Sequence, residues 1–287
     1  MRAVDVVVVW EGPSEDVAGI DVTRLALRSV AAVMPWARRI VLVTAPDQAP
    51  DWLRRSHPDI SLIHHDAIMK PFVLPSRSRH SVHSHLHRIP GISAQFVLLP
   101  AQTILLSPAI GAALFDDAGK PRLYLAADSS EDPAEAAAAR RLDKSFSGGG
   151  PWLRLAPGPG GIDAQAVQAM CNDFAAAIAA TRSGKGSGAA VAAAYLAAHY
   201  SAASGRADLA DTAGAARFGA VLALSGGRGR MWWQLVRLTR RPPLTLTLRG
   251  SGEDLSPKLS PRARAVAEDW LWRLFPEPAP WEEDGLP

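Results

Sequence analysis

The stretch VDVVVVW at residues 4–10, followed by EGP at residues 11–13, decides how the rest of the chain is interpreted. A continuous run of mostly β-branched residues that a Gly-Pro pair ends is typical of a strand buried on both faces, as in a parallel sheet. Similar short runs follow at residues 39–44, 60–64 and 96–99. We therefore predict a mostly parallel central sheet built from these four strands.

Between the strands, the spacing of apolar residues predicts helices over residues 21–34 and 50–55, so that the first third reads β-α-β-α-β. The second half is rich in alanine and predicts helices over 162–180, 189–203 and 262–274, with one late strand at 244–248. We predict an α/β fold in a single domain, residues 1–287. It has a sheet portion over residues 1–150 and a mainly helical portion over 151–287.

Composition limits the classes of function. The chain is 48% hydrophobic and 21% charged, which is typical of a globular protein. Its net charge of +3 and isoelectric point near 9.3 favour anionic small molecules or surfaces, and we expect no nucleic-acid partner. Cys171 is the single cysteine, which excludes an intramolecular disulfide. No apolar run reaches the roughly 20 residues of a membrane span, so we expect a cytoplasmic protein whose contact with a membrane, if made, is peripheral at its inner face.

The segment RSRHSVHSHLHRIPG, residues 77–91, holds four of the eight histidines and three arginines. His83 and His87 are spaced i, i+4, so on a helix both imidazoles could reach one metal ion, but the segment has no carboxylate to support them. A cationic wall that binds a diphosphate fits better, because guanidinium groups match phosphate oxygens. The alternative is a solvated basic helix face that ends at His87 and Arg88.

A second basic segment, residues 226–241, interleaves arginines with apolar residues that include Trp232 and Trp233. This pattern fits a helix that lies on a membrane surface. It also fits an ordinary amphipathic helix whose tryptophans pack into the core while its arginines reach solvent. An adaptor that uses this segment on a membrane or nucleic acid is a third class of function, but it leaves the ordered motifs of the chain unexplained.

Several segments, in order, resemble the conserved regions of the Stealth family of sugar-1-phosphate transferases, which includes bacterial capsule polymerases and the lysosomal N-acetylglucosamine-1-phosphotransferase. The most specific is LRSVAAVMPWARRIVLVTAPDQAPDWL at residues 27–53, followed by HHDAI, LPS, SHLHRIPGIS and QF. FAAAIAATRS with YLAAHYSAASGRA, and the closing FPEPAPWE at residues 275–282, are similar to later regions. The matching positions include Asp5, Trp10, Arg28, Ser29, His80, Ser84, His85, His87 and Arg88.

The resemblance implies a GT-A-like fold and a nucleotide-activated sugar as donor. The sugar phosphate would pass to a hydroxyl of a glycan or polymer acceptor, forming a phosphodiester, in the synthesis of capsule, exopolysaccharide or cell-wall polymer. The resemblance also implies substrate-binding roles for Trp10, Arg28, His80, His85 and Arg88, and we take His80, His85 and Arg88 as the catalytic candidates.

The resemblance implies magnesium as a cofactor of the family, and this chain departs from the family pattern at the residues that would bind the ion. Where the family has Val-Asp-Gly after the tryptophan and Asn-Asp-Asp after the fourth strand, this chain has Glu11-Gly12-Pro13 and Pro100-Ala101-Gln102. Phosphoryl transfer usually relies on a divalent cation held by carboxylates. We therefore expect no metal site and no cofactor, and either impaired catalysis or a non-catalytic homologue, a pseudoenzyme, that binds a nucleotide sugar or a partner.

A relocated metal site is the remaining alternative. Glu15, Asp16 and Asp21 lie just beyond the first strand and are the acids that could replace the missing carboxylates.

Overall fold

The computed structural model describes residues 4–12, 17–76, 78–129, 131–147, 149–183, 190–250 and 259–283. Its strands are β1 (Asp5–Trp10), β2 (Arg39–Thr44), β3 (Ile60–His64), β4 (Gln95–Leu98), β5 (Thr103–Leu105), β6 (Arg122–Leu123), β7 (Gly160–Asp163), β8 (Asp208–Leu209), β9 (Gly219–Leu224) and β10 (Thr245–Gly250). Its α-helices are α1 (Val22–Val33), α2 (His65–Ile68), α3 (Arg79–His83), α4 (Ile110–Leu114), α5 (Pro133–Ser145), α6 (Ala164–Asp173), α7 (Ala175–Ser183), α8 (Ala193–Ala203), α9 (Thr212–Phe218), α10 (Arg228–Arg240) and α11 (Pro261–Leu274).

A five-stranded sheet in the order β3-β2-β1-β4-β7 forms the centre of the fold. The first four strands are parallel, and β7 runs antiparallel to β4 at the edge. All four strands predicted from sequence lie in this sheet, so the predicted α/β fold with a mostly parallel sheet is confirmed. The order reverses at β1, which lies between β2 and β4, and ligands of open α/β sheets bind outside the carboxyl ends of the strands at such a point.

The valines of β1 alternate between two buried layers. Val7 and Val9 pack in a cluster with α5, α6, α7 and α8, whereas Val6 and Val8 pack in a second cluster with α1 and α4. Helices therefore cover both faces of the sheet, which is why the strand shows no alternation of polar and apolar residues.

The segment after β2 departs from the sequence prediction. Residues 50–55 form turns rather than a short helix. Their backbone groups pair instead with the closing segment: the Arg54 amide donates to the Trp281 carbonyl at 2.8 Å, and the Glu283 amide donates to the Trp52 carbonyl at 2.8 Å. Helix 21–34 is confirmed as α1, whose first turn is capped by Asp21.

The second portion contains more strands than the single late strand predicted. That strand is confirmed as β10, and it lies between β5 and β9 in a three-stranded sheet. β7 has four residues of which two are glycine, and the small apolar residues of β9 do not distinguish a strand from a helix, so neither strand has a clear pattern. Within the described ranges, no helix is long and apolar enough to cross a bilayer.

Candidate functional site

A cavity of about 310 Å³ lies at the carboxyl ends of β1 and β4, where the topology predicts a ligand site. Val9, near the end of β1, forms part of its wall, and residues 98–102 form the side that follows β4. Residues 158–161, which lead into β7, close the opposite side. The central sheet therefore positions most of this wall through backbone rather than through long side chains.

Three basic side chains reach the cavity: Arg79 and His83 from α3, and Arg122 from β6. Arg79 forms an exposed ion pair with Glu11 at 3.4 Å, and Arg122 donates to the Ala112 carbonyl at 2.9 Å. Among the described residues that line the cavity, none is Asp or Glu. The wall therefore combines positive charge with apolar surface.

An aromatic pair forms part of the same wall. Tyr124 and Phe218 stack with ring centroids 4.0 Å apart and planes 7° apart. The Tyr124 hydroxyl donates to the Ala113 carbonyl at 2.9 Å, and burial raises the pKa of this tyrosine. The cavity can therefore accept an anion that carries a flat or apolar group, which is the usual composition of a small-molecule site.

The residues present do not fit a magnesium ion. Where the carboxylates of the family would stand, Pro100, Ala101 and Gln102 offer a ring, a methyl group and a neutral amide. Mg²⁺ requires hard oxygen ligands, usually including one or two carboxylates. Across the ranges that the structure describes, no group of three or more His, Cys, Asp or Glu side chains could hold a metal ion.

The acids considered for a relocated site offer no replacement in the described residues. Glu15 and Asp16 lie outside them. Asp21 caps α1 by accepting from the Arg24 amide at 2.9 Å and also accepts from the indole N–H of Trp52. Burial raises the pKa of Asp21 despite these donors, and both of its carboxylate oxygens are engaged within the protein.

The catalytic candidates are placed differently from one another. His80 lies in α3 directly after Arg79, and burial lowers the pKa of His80 more than the charges of Asp132 and Glu11 raise it. His85 is buried, with its Nδ1 atom 2.8 Å from the Ser81 carbonyl oxygen. Arg88 is exposed.

Arg88 is close enough to Arg182 of α7 for its charge to affect the pKa of Arg182. Arg182 donates from Nε to the Ser84 hydroxyl at 2.9 Å and from Nη2 to the Ser84 carbonyl at 2.7 Å. Burial lowers the pKa of Arg182, as does the neighbouring charge of Arg88. Arg79 of this segment therefore lines the cavity, whereas Arg88 is not among the described residues of its wall.

Trp10 and Arg28, the other two predicted site residues, are buried outside the cavity wall. Trp10 packs in the core cluster around β1. Arg28 donates to both carboxylate oxygens of Glu282, at 2.6 and 2.8 Å, and to the carbonyls of Phe275 and Pro276. The described residues that line the cavity include none of the five site residues predicted from sequence. The binding roles of those five residues stay predictions.

Burial makes the histidines of this segment neutral near pH 7. It lowers the pKa of His83 to about 3, and the pKa values of His85 and His87 to about 4. The charges of nearby arginines contribute to these lowered pKa values, after burial. The positive charge of the predicted cationic wall is therefore carried by arginine, not by histidine.

The segment predicted to be cationic reaches the cavity through residues other than the predicted ones. Helix α3 ends at His83, so Arg79 and His83, not His83 and His87, share one helical face. His87 instead lies in a 3-10 turn at Leu86–Arg88. The i, i+4 spacing of Arg79 and His83 was a usable signal for this pair, whereas Arg122 and Tyr124 had none, because β6 is two residues long.

Comparison with known proteins shows which family and which relatives the chain is similar to. The family model for conserved region 2 of Stealth proteins matches residues 17–123. An exopolysaccharide phosphotransferase from Streptomyces coelicolor is 32% identical over 167 residues, covering 54% of this chain and 28% of that protein. A capsular polysaccharide phosphotransferase from Neisseria meningitidis serogroup B is 31% identical over 102 residues, covering 35% of this chain and 27% of that protein. The matched regions are about a quarter of the length of these relatives.

The fold is similar to that of the galactosyltransferase LgtC, whose crystal structure was solved with donor and acceptor sugar analogues. The TM-score is 0.50 at 12% identity, with 99% of this chain and 97% of that chain covered. At this identity the similarity shows the fold alone. The GT-A-like α/β fold expected from the sequence is confirmed.

Proposed function

We propose that this chain, which belongs to the Stealth family, is a sugar-1-phosphate-transferase-like protein that binds a nucleotide-activated sugar in the cavity at the carboxyl ends of β1 and β4. A glycan or polymer would be the acceptor, in the synthesis of capsule, exopolysaccharide or cell-wall polymer. The observation that carries the proposal is the cavity wall itself. It joins Arg79 and Arg122 to an aromatic and apolar surface, with no carboxylate among the described residues of the wall.

The wall suits the two halves of such a donor. A diphosphate carries negative charge that the planar forks of Arg79 and Arg122 can meet with charge-assisted hydrogen bonds. The exposed, long ion pair between Arg79 and Glu11 is weak enough for a phosphate to compete with it. The side chains of Tyr124 and Phe218 provide apolar surface for a base or sugar.

Transfer is the harder step for these residues. The acceptor oxygen would bond to the phosphorus that carries the sugar, and the bond from that phosphorus to the bridging oxygen would break. The nucleoside monophosphate would leave with the electron pair, and the hydroxyl proton would pass to a base. His80 is our candidate for this base, because burial lowers the pKa of its imidazole and because it follows Arg79 of the cavity wall directly in α3.

The charge on the leaving group has little to stabilise it. Phosphoryl transfer depends on electrostatic stabilisation of phosphate oxygens, usually by a divalent cation. Ala101 and Gln102 cannot hold such an ion, so Arg79 and Arg122 would have to stabilise the leaving phosphate alone. We therefore propose impaired transfer, with a non-catalytic donor-binding homologue as the alternative.

Calorimetric titration with UDP-glucose, UDP-N-acetylglucosamine and GDP-mannose, in EDTA and in magnesium, tests donor binding. We expect binding whose Kd is the same in both conditions. Arg79→Gln and Arg122→Gln should each weaken it about tenfold or more, since a hydrogen bond to a charged group contributes about 1.5–3 kcal/mol. Arg140→Gln, an exposed change on α5, is the matched control. Arg88→Ala tests the binding role that sequence predicts for Arg88.

Turnover is measured separately as release of nucleoside monophosphate from the same donors. We expect none that depends on magnesium in the wild-type protein. The Ala101→Asp, Gln102→Asp double variant restores two carboxylates and serves as the comparison. Rapid wild-type turnover would contradict the impaired-transfer proposal, and absence of binding to every donor would contradict the donor site itself.

A further inference from the structure

Helix α10 presents two tryptophans to solvent. Trp232 is 51% exposed and Trp233 is 65% exposed, and their rings meet edge to face with centroids 5.0 Å apart. The core packing that one sequence alternative assigned to them is provided instead by Met231 and Leu235, which pack against the buried face of α11. Two adjacent exposed indoles form an apolar patch of the kind that marks a contact surface.

The same helix carries positive charge only. The sequence has no Asp or Glu over residues 212–252. In that span, α10 and the residue after it contribute Arg228, Arg230, Arg237, Arg240 and Arg241. In the part of the chain that the structure describes, none of these five arginines forms an ion pair.

An acid of α11 lines the groove between α10 and α11, and it already forms an ion pair. Asp269 shares this groove, of about 330 Å³, with Trp232 and Arg240. It pairs with Arg273 of its own helix at 3.0 Å. The charge of the α10 arginines is therefore not neutralised by the protein within the described residues.

Helical spacing aligns the two kinds of side chain. Arg230, Trp233, Arg237 and Arg240 follow each other at i, i+3, i+7 and i+10, which places them along one stripe opposite the buried face. Trp232 lies next to this stripe at the groove. Together, the stripe and Trp232 beside it form a helix surface on which two indoles lie next to guanidinium groups.

We propose that this stripe docks the protein onto a surface of anionic phospholipid. Guanidinium groups bind lipid phosphates with charge-assisted hydrogen bonds, and indoles settle at the boundary of headgroups and acyl chains. Each arginine near an anionic surface adds attraction. Single-stranded nucleic acid also binds arginine and aromatic side chains, but in grooves that follow its backbone rather than on a helix surface. The stripe uses no residue of the donor cavity, so the two proposals are independent.

Co-sedimentation of the full chain with vesicles tests the proposal. The vesicles are phosphatidylcholine alone, or phosphatidylcholine with about 30% phosphatidylglycerol. We expect binding to the anionic vesicles only, and less of it when salt is raised from about 0.1 M to about 0.5 M. The variant Arg237→Gln, Arg240→Gln should bind about tenfold more weakly, and Trp232→Ser, Trp233→Ser should also lose binding.

The control variant Arg55→Gln, Arg140→Gln removes the same charge from exposed sites elsewhere, and it should bind like the wild-type protein. Circular dichroism checks that every variant is folded. The proposal is overturned if the wild-type protein ignores anionic vesicles, or if the control loses binding as much as the α10 variant. Tighter binding to a single-stranded oligonucleotide, or self-association that the tryptophan variant abolishes, would also overturn it.

Discussion

Removal of the Glu282 side chain should lower the stability of the protein strongly. Its carboxylate is 3% exposed and accepts from Arg24 at 2.6 Å and from Arg28 at 2.6 and 2.8 Å. It also accepts from the Ala279 amide at 3.0 Å. Glu282→Ala would leave two guanidinium groups buried without their counter-ion, and breaking a buried pair in this way costs about 3–5 kcal/mol.

For a chain of this length, that loss lowers Tm by roughly 5–8 °C, taking an unfolding entropy of about 2.1 cal/mol/K per residue. Urea unfolding and thermal melting followed by circular dichroism measure both quantities. Glu283→Ala is the matched control, because Glu283 is the exposed neighbour in the same segment. A loss in Glu282→Ala no larger than in Glu283→Ala would refute the reasoning, since the ion pair would then contribute nothing net.

The effect should also depend on pH. Burial alone raises the pKa of Glu282, but hydrogen bonds from Arg28, the Ala279 amide and Arg24 outweigh burial and hold it below the usual 4.5. The folded state therefore binds this proton less tightly than the unfolded state does. The stabilisation is complete above pH 4.5 and is lost as pH falls through the folded value, so wild-type protein and Glu282→Ala should converge in acid.

Three further outcomes follow from single positions. Gly219→Ala should lower the free energy of unfolding by about 1–3 kcal/mol or more, because the added Cβ would overlap a backbone carbonyl. Gly227→Ala should leave it unchanged, because a Cβ there has no atom within 4 Å, and urea unfolding compares the two variants. Burial lowers the pKa of His199 to about 4, so stability should fall as pH drops from about 6.5 to 4, by up to about 1.4 kcal/mol per pH unit, and this slope should lessen in His199→Gln. Asp5→Ala should lower the free energy of unfolding by about 3–5 kcal/mol, because the basic partners of a fully buried carboxylate would lose it. Arg39→Ala should lower it by less than about 1 kcal/mol in the same measurement, because the contact between Arg39 and Asp5 is 3.4 Å long.

Some positions that match the family form internal ion pairs, which the sequence does not reveal. Arg28 and Glu282 lie in different matching segments, and the structure joins them in one buried ion pair. Asp5 accepts from Arg38 at 2.6 and 2.7 Å at the amino end of β1, the edge of the sheet opposite the cavity. A match to a motif alone therefore does not distinguish a residue that contacts a ligand from a residue that forms an internal ion pair.

By itself, the sequence determined the four parallel strands, helix α1 and the edge of the sheet at which the cavity opens. These follow from local patterns, because residues 4–10 must be covered on both faces and Pro35 must end a helix. The sequence also determined that Ala101 and Gln102 supply no carboxylate, since that is a matter of composition at a fixed position.

Only the tertiary structure decided which basic residues face the cavity. Helix α3 ends at His83, so Arg79 and His83 both line the cavity while His87 lies in the following turn, and burial removes the charge from the histidines. Arg122, more than thirty residues further along the chain, entered the wall through β6, and the exposure of Trp232 was set by the packing of α10 on α11. These outcomes depend on contacts between distant segments and on the loss of water around a side chain, neither of which is encoded in local spacing.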